Sequence, residues 1–392
     1  MSSRTLTIND LFGGPVIYQT PCPEPVFQRS YVSESVLAHA LYDKYCLGVP
    51  FSRSQDERDR LNAPYTANDL YRWTINLYEK KFIYLMPLLW DSLISNEEKI
   101  IQADETTFLV LRIAGKEPGS RSYVWSYNTC KDSAHQVHLY SFEPGRSGDF
   151  PAEKLLDFVG YLVTDAYPGY NKVVAVIHVL CWIHARRKFV EALPSDPALA
   201  IVSKQYQAIA MIDEMFKQEK QLQDLDPATR KVQRQKLIQP IIVALYDWLD
   251  AIESTVPAKS KLSEAIGYCK KNKDGLLRFL EDGRLPLHNQ VSELSMRNVA
   301  IGRKNYLFYG SPHGAAAGTC MYSLVETASA NHLDPELYLA YLMENMRGSD
   351  FDKSPEHMAS LLPWEAGPQS KCLQASESRR RRNFPDTIQP SI

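Results

Sequence analysis

The sequence predicts an α/β layer fold, and three observations carry that expectation. Three short runs of strand character follow one another, separated by Gly, Pro, Ser and Asn; a helical segment comes next; two more apolar runs of strand length then precede a long helical stretch. With 392 residues and 44% hydrophobic content, the chain can bury one sizeable core and still carry an accessory domain. No run approaches the roughly eighteen apolar residues of a membrane span; the longest, Val173 to Ile183, is interrupted by His178. The N-terminal MSSRTLTINDLFGG lacks a charged segment followed by a long apolar one, so no secretory signal is expected and the default compartment is the cytoplasm.

In chain order, residues 1–30 are rich in Pro and polar residues and read as an extended lead-in. Val36, Leu37, Ala40, Leu41 and Tyr45 recur at helical spacing behind a capping Ser33, and a second helix begins near Thr66 and runs until Pro87 interrupts it. Residues 31–95 therefore form a small helical domain, either a plain helical hairpin or a helix-turn-helix. Ile101 to Ile113, Tyr123 to Tyr127 and Val137 to Phe142 predict a three-stranded antiparallel meander. Phe150 to Val159 predicts a helix, and Tyr161 to Thr164 and Val173 to Leu180 predict two further strands, closing a first core segment over 96–188. Residues 189–284 turn helical and highly charged, with Ile212 to Leu225 and Lys231 to Leu249 as the longest predicted helices. Residues 285–347 hold a helix over 290–301 and one or two more between Tyr322 and Met346. The stretch 348–392 is polar and Pro-containing and reads as a largely disordered tail with a solvated basic run, Arg379 to Arg382.

Seven cysteines with no Cys-x-x-Cys pair fit reduced thiols rather than a disulfide framework or a structural zinc. The net charge of −2 does not exclude a nucleic-acid partner, because phosphate affinity depends on local patches. Two such patches exist. Arg186, Arg187 and Lys188 follow Trp182 and His184 without an intervening acid, and Arg297, Arg303 and Lys304 follow Glu293.

Three acids stand out. Asp104 lies in a strand pattern, where a charge is costly unless paired or metal-bound. Alternation sends Asp104 and Glu105 to opposite faces and does not by itself choose between them. Asp165 ends an apolar run just before Pro168 and Gly169, a position for either a ligand-binding or a turn-capping residue. Glu293 and Arg297 are spaced i, i+4, which also allows a plain helical ion pair.

The segments ADET, TDAYPGY, CWIHARRKF, AIGYCKKN, LLRFLEDGRLPLHNQVSELSMRNVAIGRKNYLFYGSPHG and LLPWE, in this order over roughly residues 30 to 365, resemble the insertion sequence 66 family of bacterial DDE transposases. The resemblance implies a ribonuclease H-like core with a mixed five-stranded sheet, preceded by the small helical domain and interrupted by the helical insertion. It places Asp104 on the first strand, Asp165 at the end of the fourth and Glu293 on a late helix, as catalytic residues and as ligands of two Mg²⁺ or Mn²⁺ ions. Sixty residues lie between Asp104 and Asp165 and 127 between Asp165 and Glu293, and the second interval leaves room for the insertion. Hard divalent cations take oxygen ligands, and two of them can serve an in-line phosphoryl transfer.

DNA is the implied partner, as element ends and as target, and a homo-oligomer on DNA, accessory proteins of the same element and a bacterial cytoplasmic, nucleoid-associated location go with it. His184 is implied as a positioning or phosphate-contacting residue, and Arg186, Arg187, Arg297, Arg303, Lys304 and Asn305 as DNA contacts, since an Arg fork matches phosphate oxygens. Cys181 and His184 supply only two zinc ligands, which leaves packing as the expected role of Cys181. His288, Asn289 and Gln290 stand where many members carry Asp-Asn-Asn. No Cys-rich zinc module of the kind family members usually add precedes the core, so a shortened form, or a non-catalytic DNA-binding remnant, is the alternative expectation.

Overall fold

The computed structural model describes residues 5–9, 15–19, 25–27, 32–117, 119–348 and 350–374. Within the lead-in, β1 (Thr5–Asn9) and β2 (Pro15–Gln19) pair antiparallel; the Arg379 to Arg382 run lies outside the described residues. Helix α1 (Glu34–Tyr45) starts where Ser33 Oγ accepts the Val36 N–H at 3.3 Å. After the short α2 (Gln55–Arg60), α3 (Ala67–Lys80) opens on a reciprocal capping box between Thr66 and Asp69. Pro87, expected as an interruption, falls in the first turn of α4 (Met86–Ile94), where a proline's missing N–H leaves no helical bond unmade.

Strands β3 (Ile100–Leu109), β4 (Arg121–Thr129) and β5 (His138–Glu143) form the expected antiparallel meander. Helix α5 (Asp149–Lys154), shorter than its apolar spacing predicted, leads to β6 (Gly160–Thr164) and β7 (Val176–Leu180). The sheet order is β5-β4-β3-β6-β7, with β6 parallel to both β3 and β7, so this is a mixed five-stranded sheet.

Helix α6 (Trp182–Glu191) begins the helical block, which continues through α7 (Pro197–Ile201), α8 (Lys204–Leu222), α9 (Pro227–Leu237), α10 (Gln239–Glu253), α11 (Lys261–Lys271) and α12 (Lys273–Leu277). The single helix expected over Lys231 to Leu249 is two helices, because Pro240 has no N–H to carry the i→i−4 ladder through. Ile100, Val163 and Val179 of the sheet join Trp182, Phe189, Ile212, Leu245 and Ile266 in one buried cluster, so the helical block shares a core with the β6–β7 side of the sheet. Each such side chain contributes about 1.5–3 kcal/mol on full burial.

Helices α13 (Gln290–Tyr306), α14 (Pro312–Ala330), α15 (Pro335–Asn345), α16 (Pro355–Ser360) and α17 (Ala366–Lys371) complete the chain, the last two within the stretch read as a polar tail. Among the described residues, the chain divides into two compact units: Met1–Leu89 with Ile301–Leu307 and His313–Ile392, and Trp90–Ala300 with Phe308–Pro312. In the first, α1 packs mainly on α15, with Arg347 paired to Glu34 at 2.5 Å and His39 to Glu336 at 3.2 Å. The second holds the five-stranded sheet and the helical block. No described helix is long and apolar enough to cross a membrane.

Candidate active site

Asp104, Glu105, Arg146, Asp165, His184, Arg187 and Glu293 line one cleft of about 350 Å³ in the sheet-containing unit. The ladder between β3 and β6 runs only from Ile100↔Tyr161 to Gln102↔Val163, after which β6 ends at Thr164 while β3 continues to Leu109. The carboxyl ends of two parallel strands thus border an opening, the place where α/β sheets tend to bind ligands. Asp104 stands on β3 two residues past the last rung, and Asp165 directly follows β6, its Oδ1 accepting the Tyr167 N–H at 2.8 Å.

Glu293 reaches this opening from the first turn of α13. Cross-strand partners share a face, so Gln102, Asp104, Asn128 and Ser126 lie on one side of the sheet. On that side Asn128 Nδ2 donates to Ser292 Oγ at 2.9 Å and the Tyr140 hydroxyl donates to the Ser295 carbonyl at 2.9 Å, which seats α13 over Asp104. Asn289 fixes the entry to the helix. Fully buried, it donates from Nδ2 to the Ala103 carbonyl at 2.8 Å and from its backbone N–H to Cys181 Sγ at 3.2 Å. The segment before it is held by Trp182, which donates from its backbone N–H to the Leu287 carbonyl at 3.2 Å. Arg234, 1% exposed, adds to this by pairing with Glu219 and donating to the carbonyls of Phe279 and Leu285, both at 2.9 Å.

Glu105 lines the cleft together with Asp104, although alternation sends the two to opposite faces. It points to the other face, opposite Trp125, but that face also borders the opening left by the end of β6. Its side chain is 2% exposed; Arg146 donates to Oε1 from Nε (2.8 Å) and Nη2, and the Tyr170 hydroxyl donates to Oε2 at 2.7 Å. The Arg146 guanidinium lies 3.9 Å from the Tyr167 ring centroid, and the Tyr167 hydroxyl donates to the Arg146 carbonyl. Gly148 allows this docking, because a Cβ there would collide with the Gly169 backbone. Sequence reasoning missed Arg146; its only signal was an Arg in the Pro- and Gly-containing turn after β5.

Burial pushes the Asp104 carboxyl up to about 8, and the negative charges of Glu105, Asp165 and Glu293 add to the effect. Burial also raises Glu105, with Asp165 adding and the Tyr170 and Arg146 hydrogen bonds opposing. Glu293 is raised by burial against the pull of Arg187. His184 is lowered first by burial and then by Arg187. Its Nδ1 stands 4.0 Å from Glu293 Oε1, and both atoms are buried without a hydrogen-bond partner. Burial pushes the Cys181 thiol up to about 12. Four acids facing two arginines in a partly dry cleft form a donor set that suits hard cations.

The other expected residues separate. Arg187 lines the cleft, whereas Arg186 directs its fork onto Asp213 of α8 at 2.5 and 2.9 Å, a partner that lies 27 residues on and was invisible in the local sequence. Glu293 faces His184 rather than forming the alternative pair with Arg297, which is exposed. Arg303, Lys304 and Asn305 belong to the other unit, where Asn305 Nδ2 donates to the Gly48 carbonyl at 2.8 Å. Trp182 is fully buried core, and its Nε1 donates to the Leu276 carbonyl at 2.8 Å. His288 stacks obliquely on Phe216, 6.1 Å between ring centroids.

Comparison with known proteins agrees with this arrangement of motifs. The uncharacterized protein y4hP of Sinorhizobium fredii is 27% identical over 375 residues, which cover 89% of this chain and 65% of the relative. Proteins y4qI and y4jD of the same organism, also uncharacterized, are 26% and 25% identical over 368 and 370 residues, covering 90% and 89% of this chain and 66% and 69% of the relatives. The chain thus spans about two thirds of the length of these relatives. No solved structure matches it. The profile of the Transposase IS66 family matches residues 29–317, most of the chain and all the residues that line the cleft, and the protein belongs to that family.

Proposed function

We propose that the cleft is the phosphoryl-transfer site of a DDE transposase with a ribonuclease H-like core, and that Asp104, Asp165 and Glu293 are its catalytic carboxylates. One observation carries the reading: three acids separated by 60 and 127 residues in sequence line a single cleft, where their charges act on one another. Such a cluster is unfavourable unless cations join it, which is the fit expected for the divalent metals that transposases of this kind generally use. Two Mg²⁺ or Mn²⁺ ions held by the three acids would supply activation of the attacking oxygen and charge neutralisation at the leaving one.

The chain's own residues do the rest. Arg187 meets a DNA phosphate entering the cleft, and Arg297 extends the cationic lining from the exposed side of α13. Arg146 holds the Glu105 carboxylate against Tyr170, so the fourth acid is fixed and partly neutralised beside the three ligands. His184 stands beside Glu293, its Nδ1 4.0 Å from Oε1, as a positioning or phosphate-contacting residue. Arg303 and Lys304 are proposed as contacts to DNA outside the cleft. The substrate is the end of a bacterial insertion element and then target DNA, in a multimer on DNA that accessory proteins of the element can join, within the bacterial cytoplasm.

Mg²⁺- or Mn²⁺-dependent nicking of end-containing DNA by the wild type and by Asp104→Asn tests the reading. Nicking lost in the variant supports it. Equal nicking by both proteins removes Asp104 from the chemistry, and binding without nicking by the wild type identifies a non-catalytic remnant.

A further inference from the structure

We infer that Cys181, His184 and Glu293 form a binding site for a borderline-soft divalent cation, Zn²⁺ by its chemistry, with an open fourth position toward the cleft. One ligand atom from each residue lies within 4.8 Å of the others, and these atoms are a sulfur, an imidazole nitrogen and a carboxylate oxygen. That mixture suits zinc and not magnesium, which prefers oxygen alone. No other His, Cys, Asp or Glu cluster of this kind occurs among the described residues.

Two further features fit a site rather than a chance approach. His184 Nδ1 and Glu293 Oε1 are buried, face each other at 4.0 Å and have no hydrogen-bond partner, a costly state that a shared cation would relieve. Cys181 Sγ already accepts the Asn289 N–H at 3.2 Å, the outer-shell bond that steadies a metal-bound thiolate. An entry path exists as well: His184 and Glu293 line the cleft, and the fully buried Cys181 completes the set beneath them. The ligand atoms must close by about 1 Å to reach zinc bonding distances of roughly 2.0–2.3 Å. Binding releases the thiol proton to solvent.

The sequence alone offered only the Cys-x-x-His pair; the third ligand arrives with α13. If Glu293 also serves phosphoryl transfer, as in the reading above, a cation held here draws that carboxylate toward Cys181 and away from Asp104 and Asp165.

Cobalt titration of the full chain under reducing conditions reads the site without any activity assay. The expected result is one equivalent of bound Co²⁺ with a thiolate-to-metal charge-transfer band and strong visible bands of a four-coordinate ion, all removed by Zn²⁺. Cys181→Ser should abolish the charge-transfer band, and circular dichroism checks that it folds. Glu293→Gln, which keeps the thiol, should weaken cobalt binding by about tenfold or more. Asp104→Asn should leave the band in place, so a failed catalytic reading and a failed zinc site give different results. No band in the wild type, or a band that survives Cys181→Ser in the folded variant, overturns the inference.

Discussion

Asp104→Asn should stabilise the metal-free protein while removing its proposed chemistry. The folded protein holds this carboxyl at about 8 against an ordinary 3.8, so between those values the folded state keeps a proton that the unfolded chain gives up. For an acid raised in this way, stability is greatest below pH 3.8, falls as pH rises toward 8 and is flat above it. Each pH unit in that window costs about 1.4 kcal/mol, so the penalty is on the order of 4 kcal/mol at pH 7 and 6 kcal/mol above pH 8. Asparagine keeps the shape of the side chain and carries no such penalty.

Urea unfolding of the wild type and the variant in EDTA, followed by circular dichroism near pH 4 and near pH 8, measures the difference. The two should be close at the lower pH and separate by several kcal/mol at the higher. Mg²⁺ should then stabilise the wild type and do little for the variant, since a ligand stabilises only the state that binds it. A variant no more stable than the wild type near pH 8, or a gap that does not change with pH, would refute the electrostatic account of the cleft.

Arg146→Ala leaves the buried Glu105 carboxylate with only the Tyr170 hydroxyl and should cost about 2 kcal/mol. The Arg146→Ala, Glu105→Gln double variant should recover most of that, as a double-mutant cycle in urea will read. Arg187→Ala should weaken DNA binding and lower the slope of log affinity against log salt by about one, whereas Arg186→Ala, which breaks the Asp213 pair, should leave that slope unchanged in a fluorescence-anisotropy titration.

Much of the sheet was legible because strands and turns are local: β3 through β7 follow alternation and turn residues that any short window contains. The three acids were legible only through the order of their motifs. Glu105 was not, because strand parity describes a continuous sheet and says nothing of where a neighbouring strand stops. The pairing of Arg186 was not legible because Asp213 lies on a different helix, and the helix break at Pro240 was lost in a run of otherwise periodic apolar residues. In the sequence Asn289 is flanked by His288 and Gln290, the two departures at family positions, and nothing local marks its own role. In the fold it is the residue that ties α13 to β3.

The helical block that separates Asp165 from Glu293 has a consequence in time. A ribosome adding roughly 5 to 20 residues per second needs about 6 to 25 s to make the 127 residues between those two acids. Throughout that interval the nascent chain owns β3 and β6 but not α13, and the Arg234 and Trp182 contacts that hold the segment before α13 cannot form until the block itself has been made. The third carboxylate is therefore a late arrival by construction, and a newly made chain passes through its synthesis with the cleft incomplete.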